Sequence, residues 1–168
     1  MKEDLAMIRD LGFKGVVFGV LRPDGTVDTQ AMSSLMKLAG PMEVTFHRAF
    51  DASRDPFESL ASLSDLGVAR ILSSGMKATA EEGIALLKEM NERSKGPVIM
   101  AGSAVRPGNI RQFIDAGIKE VHSSAGKNFH SPMVYKNPDI YMGHSGQDEY
   151  IRFGVDIEAI AEMKRLIS

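Results

Sequence analysis

A chain of 168 residues, 43% hydrophobic and 25% charged, has the composition of one globular domain with a sizeable core, which sets disorder aside. Its net charge of −2, with basic and acidic residues interspersed, argues against nucleic acid and against an anionic membrane as partners. It has no cysteine, which excludes a disulfide framework, a thiolate nucleophile and cysteine-ligated zinc or copper. No apolar run approaches the roughly 20 residues that span a bilayer and the start, Met1-Lys2-Glu3-Asp4, is charged, so a cytoplasmic location is expected.

The first element in chain order reads as a helix, with Leu5, Ile8 and Leu11 leading into Gly12. Five short apolar runs follow: Gly15 to Leu21, Glu43 to Phe46, Ala69 to Leu72, Pro97 to Met100 and Lys119 to Val121. They are too short and too β-branched to be helices, so they predict strands. Between them lie helical patterns. Met32, Leu35, Met36 and Ala39 form one stripe. Asp55-Pro56-Phe57-Glu58 supplies a cap, a first-turn proline and an acid at the third position ahead of Leu60 and Leu63. Thr79 with Glu82 makes a capping box before Ile84, Leu87 and Met90. Pro107 starts a helix carrying Ile110, Phe113 and Ile114. Asp156 can cap a last helix with Ile160, Met163 and Ile167 on one face.

Three helix-to-strand junctions resemble one another: Asp10-Leu-Gly-Phe13, Asp65-Leu-Gly-Val68 and Asp115-Ala-Gly-Ile118. A left-handed glycine terminus fits each. The runs start 22 to 28 residues apart, the length of one strand-plus-helix unit. Strands alternating with helices predict a parallel sheet with right-handed crossovers. The fold class expected is α/β, a (β/α)8 TIM-barrel type that is incomplete, with about five parallel strands and alternating helices. An open doubly wound sheet is the alternative, disfavoured by the even period and by the lack of a glycine-rich nucleotide fingerprint.

Parallel strands end on one side, and there the chain becomes polar. The second run ends in Thr45-Phe46-His47-Arg48-Ala49-Phe50-Asp51, the third in Ser73-Ser74-Gly75, the fourth in Ala101-Gly102-Ser103 and the fifth in His122-Ser123-Ser124. His47, Arg48 and Asp51 are candidates for acid/base work and an anion clamp. Thr45, Ser74, Gly75, Gly102, Ser103, His122 and Ser123 are candidates for substrate binding, since small residues after late barrel strands expose donors to an anion, frequently a phosphate. Each has a structural alternative: His47 paired with Asp51, the serines as turn or cap hydroxyls. A serine nucleophile with His122 as its base is disfavoured, because strand neighbours point to opposite faces. His130 and His144 lie in a polar stretch from Gly126 to Gly154, expected to be a lid or poorly ordered, and match no metal spacing. The eleven methionines raise a Cu(I) reading, but the Met32 and Met36 stripe reads more simply as core.

The seven residues Thr45 to Asp51, with Gly15-Val-Val-Phe-Gly-Val-Leu21, Pro23-Asp24-Gly25, Arg70-Ile-Leu-Ser-Ser-Gly75, Val98-Ile-Met100, Arg106-Pro107, Glu120-Val-His-Ser-Ser-Ala125 and Tyr141-Met142-Gly143, resemble the CutC copper homeostasis family. The resemblance implies a TIM-type barrel, a proposed role in cytoplasmic copper homeostasis and copper, as Cu(I), for a ligand. It also implies that residues 1–168 form a single CutC-like domain lacking about three N-terminal strands, and with them the family's candidate cysteine ligands. The family's Pro-Gly-Gly-Gly turn reads Ala101-Gly102-Ser103-Ala104 here. A barrel short of three strands has two bare edges, so a homo-oligomer, or pairing with a longer chain, is expected. The two functional expectations are copper handling and a barrel enzyme acting on a small anionic or phosphorylated metabolite.

Overall fold

The computed structural model of the chain describes residues 1–140, 142–143 and 148–167. Its elements are α1 (Lys2–Asp10), β1 (Gly15–Phe18), α2 (Thr29–Ala39), β2 (Glu43–Phe46), α3 (Pro56–Asp65), β3 (Arg70–Ser73), α4 (Ile84–Arg93), β4 (Val98–Gly102), α5 (Ile110–Asp115), β5 (Glu120–His122), β6 (Gly126–His130), β7 (Ile151–Val155) and α6 (Ile157–Ile167). Strands β1 to β5 form one sheet in sequential order, every pair parallel. A doubly wound sheet would reverse its order part-way. Sequential parallel strands alternating with helices are the arrangement of an incomplete TIM-type barrel.

Strand alternation divides the sheet into two faces. Phe18, Val44, Phe46, Ile71, Ile99 and Ala101 point to the helices and are buried. They join Met32, Leu35, Leu63, Leu87, Met90, Ile110 and Phe113 in one core. Met32 is fully buried, so the methionine stripe of α2 is core. The other face bears Val17, Thr45, Arg70, Leu72, Val98, Met100, Glu120 and His122, none of them buried.

Local chemistry explains the helix ends. The Asp55 carboxylate accepts from the Phe57 and Glu58 N–H groups, both at 2.8 Å, with Pro56 opening α3. Thr79 and Glu82 exchange bonds as a capping box, Thr79 N–H donating to Glu82 at 3.1 Å and Glu82 N–H to Thr79 at 3.3 Å, although α4 proper begins only at Ile84. Asp156 caps α6 through the Glu158 and Ala159 N–H groups. Gly12, Gly67 and Gly117, at the three similar junctions, all take positive φ of 75° to 80°.

Three expectations need correction. The first apolar run breaks after Phe18, and Leu21 instead bridges Val27 antiparallel around the Asp24-Gly25 turn. Pro107 does not start a helix: residues 107–109 form a turn, in which Asn109 accepts from the Arg106 N–H at 2.8 Å, and α5 begins at Ile110. The stretch from Gly126 to Gly154 is not simply a lid or loop, because β6 pairs antiparallel with β7. Its glycines permit this pairing. The Phe153 ring lies over Gly126 and the Phe129 ring over Gly154, filling the places a Cβ would take. Tyr141 and His144 lie outside the described residues. No helix among the described residues is long and apolar enough to cross a membrane.

Candidate functional site

Strand β2 stops at Phe46 because His47 turns the chain. Its Nδ1 accepts the Ala49 N–H at 3.2 Å and caps a 3-10 turn, Arg48–Ala52, which fully buried Phe50 anchors from below. An Nδ1 that accepts carries no proton, so the ring proton of this tautomer sits on Nε2. Gly19 makes room for the ring, since a Cβ there would lie 2.9 Å from Nδ1. His47 and Asp51 therefore do not pair.

Asp51 is engaged elsewhere, across 22 to 25 residues of sequence. Its carboxylate accepts from Ser73 Oγ at 2.6 Å, Ser74 Oγ at 3.0 Å, the Ser74 N–H at 3.0 Å and the Met76 N–H at 3.2 Å. Arg48 Nε completes the set at 2.7 Å. Burial opposes the charge, but the bonds from Ser73, Arg48, Ser74 and Met76 outweigh it and hold the carboxyl below its ordinary value. Asp51 thus fills, with its own negative charge, the donor cradle that the β3 loop would offer an anion.

Arg48 is braced by the same network. Its Nη2 donates to Ser74 Oγ at 2.7 Å and to the Lys77 carbonyl at 3.5 Å, while Nη1 has no partner among the described residues. The Gly75 N–H is taken by Ser73 Oγ at 2.9 Å. Gly75 has φ +68° and packs backbone to backbone on Gly83, so a Cβ at either glycine would strike the other's segment.

The belt continues along the strand ends. Ser103 Oγ donates to the Ala78 carbonyl at 2.8 Å, and the Ser103 carbonyl accepts the Ala80 N–H at 3.1 Å. A Cβ at Gly102 would meet Leu72 Cδ1, so the leucine side chain would have to shift aside. Ser123 Oγ donates to the Val105 carbonyl at 2.7 Å and accepts from Arg106 Nη1 at 3.2 Å and the Ala125 N–H at 3.0 Å. His122 is exposed and makes no hydrogen bond to Ser123. Arg48, Asp51, Ser74, Gly75, Ser103 and Ser123 are thus joined along one rim. Thr45 sits lower, level with Val17 and Arg70 on the open face.

Three comparisons bear on this arrangement. The sequence profile of the CutC family matches residues 1–127. The family protein CutC of Salmonella paratyphi B is 49% identical over 168 residues, covering 99% of this chain and 68% of that protein, and the family protein CutC of Proteus mirabilis is 47% identical over 169 residues. The chain belongs to the CutC family. A crystal structure of a candidate copper homeostasis protein CutC from Streptococcus agalactiae superposes with a TM-score of 0.68 at 28% identity, covering 72% of this chain and 60% of that one. At 68% coverage, 168 matched residues put the Salmonella CutC protein near 247 residues, about 79 more than are matched.

Sequence reasoning missed two groups. Arg106 was noticed only as part of the family resemblance, yet its guanidinium is tied to the β5 end. Arg70 forms a network on the open face, with Glu43 at 2.5 Å and Glu120 at 2.7 Å. Its signal was available, because Glu43, Arg70 and Glu120 all open apolar strands at positions that alternate onto one face. The turn that departs from the family pattern keeps a glycine-like backbone: Ser103 has φ 89° and Ala104 φ 56°.

A copper ion does not fit the groups gathered here. The chain has no cysteine, the described residues contain no cluster of three histidines or carboxylates, and Met32 is locked in the core.

Proposed function

We propose that the strand-end rim of this CutC-family chain binds a small ligand bearing an oxyanion, either carboxylate or phosphate. The observation that carries the reading is the β4 loop. Among the described residues no hydrogen bond within the chain engages the backbone N–H groups of Ala104 and Val105. In the β3 loop, by contrast, the N–H groups of Ser74, Gly75 and Met76 are all taken by Asp51 or Ser73. Ala104 is exposed, so its N–H is open to a ligand, whereas Val105 is fully buried. A free, exposed N–H group beside a guanidinium, here Ala104 beside Arg106, offers donors to an anion. Arg48 is the second clamp, through its free Nη1, and the His47 Nε2 is the atom from which a proton could pass to the ligand. Thr45, Ser74, Gly75, Gly102, Ser103, His122 and Ser123 shape the surroundings of the ligand.

Thermal melts in inorganic phosphate and in citrate test this reading. An upward shift that disappears in Arg106→Ala and shrinks in Arg48→Ala is expected. No shift with either anion would sink it.

A second reading rests on the name of the solved Streptococcus agalactiae relative, which refers to copper homeostasis. Under that reading the chain serves copper handling, with sulfur or nitrogen donors drawn from outside the rim. Titration with Cu(I) against a competing chelator decides it: stoichiometric capture from the chelator supports copper binding, and no capture leaves the role without a metal site in this chain.

A further inference from the structure

Three features of the rim bear on the shape of what it holds. The first is a guanidinium without a counter-ion. Among the described residues every arginine either pairs with a carboxylate or is exposed, with one exception: Arg106 is half-buried and meets no carboxylate. Its Nη1 serves the Val105 carbonyl at 2.8 Å and Ser123 Oγ at 3.2 Å, while Nε and Nη2 have no partner among the described residues. A guanidinium drawn partly out of water with donors unused favours an anion.

The second feature is the interval between this donor set and Arg48. Arg48 Nη2 donates to the Lys77 carbonyl, and the next carbonyl, that of Ala78, accepts from Ser103 Oγ. The stretch Lys77-Ala78 therefore lies between Arg48 and the β4 loop. The ends of β2 and β4 are two strand spacings apart, roughly 10 Å, which is more than one carboxylate or phosphate spans. The third feature is what fills that interval. The Asp51 carboxylate takes the Ser73, Ser74 and Met76 donors, so the middle of the rim presents a negative charge and carbonyl oxygens.

We infer that the ligand of the rim is an elongated dianion. One carboxylate or phosphate group sits on the free Nη1 of Arg48, a second sits on Arg106 and the Ala104 N–H, and a neutral chain joins them past Asp51. Asp51 sets the specificity, because it keeps a third anionic group out of the middle. The inference rests on the oxyanion reading of the rim and adds to it the charge and the length of the ligand. Joining two weak contacts makes the second one intramolecular. A chain of matching length then binds more tightly than either end alone, and a chain too short to span the interval loses that gain.

The test titrates the 168-residue chain with acetate, inorganic phosphate and the α,ω-dicarboxylates from malonate to sebacate at fixed ionic strength. The Ala104 amide and the Arg48 Nε–H are followed by NMR. Affinity is expected to peak at an intermediate chain length, at least about tenfold above acetate, with both signals moving along one curve. Arg106→Ala should reduce the best dicarboxylate to the affinity of acetate. Arg48→Lys should do the same, because its single ammonium is engaged by Asp51, and it keeps the ion pair that Arg48→Ala would remove from the fold. Thermal melts establish that both variants are folded. Acetate and phosphate binding without any dependence on chain length would overturn the dianion and leave the oxyanion reading standing. A length optimum that survives in Arg48→Lys would also overturn it. If no anion moves either signal, both readings fall.

Discussion

Alternate residues of the same strands meet two different environments. On the helix side, Phe18, Val44, Phe46, Ile71, Ile99 and Ala101 are buried in a continuous core. On the other side, Val17 is mostly exposed and Arg70 holds two carboxylates at the surface. Side chains two residues apart on one strand share a backbone and differ only in what lies above them. The covered face therefore supplies the folding free energy of the chain, while the open face and the rim remain available for binding.

Substitutions on the two faces can break or sharpen this contrast. The largest effect is expected for Phe46→Ala, where a fully buried ring leaves a cavity. A loss of about 3–5 kcal/mol should appear in urea denaturation, against less than about 1 kcal/mol for Val17→Ala on the open face. Equal losses would erase the distinction.

Next is Asp51→Asn, which should cost about 1–3 kcal/mol by weakening bonds to Ser73, Ser74, Met76 and Arg48. The folded carboxyl titrates below the unfolded one, so its contribution is fully present above the unfolded value, near pH 4. It is lost as pH falls through the folded value. Denaturation curves taken downward from about pH 5 should fall less steeply for Asp51→Asn than for the unaltered chain.

A smaller loss, up to about 1 kcal/mol, is expected for Arg70→Leu in the lone chain, because its partners are partly solvated. The smallest effect has the opposite sign. Ala104→Gly relieves a left-handed backbone at φ 56° and should raise stability by about 0.5–1 kcal/mol, read from the denaturation midpoint.

Much of the fold was legible because it is local. The caps at Asp55, Thr79 and Asp156 act within three residues, and the glycines at 12, 67 and 117 answer to their own φ. The strand ends were legible because an apolar run that turns polar marks where a buried strand emerges. The partners of those ends were not. Asp51 looked like a companion for His47 four residues away, yet apart from Arg48 its donors lie at the end of the next strand and in the loop after it, and which donors a carboxylate finds depends on how β2 and β3 are brought together. The same holds for Arg106 and Ser123, 17 residues apart. The β6–β7 pairing escaped notice because aromatic rings stand in for the side chains its glycines lack, and that substitution acts across strands.

By itself, then, the sequence determined the alternation of strand and helix, the family and the side of the sheet that would become polar, since hydrophobic period, capping chemistry and strand direction are carried by neighbouring residues. Tertiary structure alone decided that Asp51 occupies the β3 cradle, that the Ala104 N–H of the β4 loop stays free and that the sheet presents one bare face. Those outcomes depend on contacts between residues far apart in the chain, and backbone packing, not local preference, selects them.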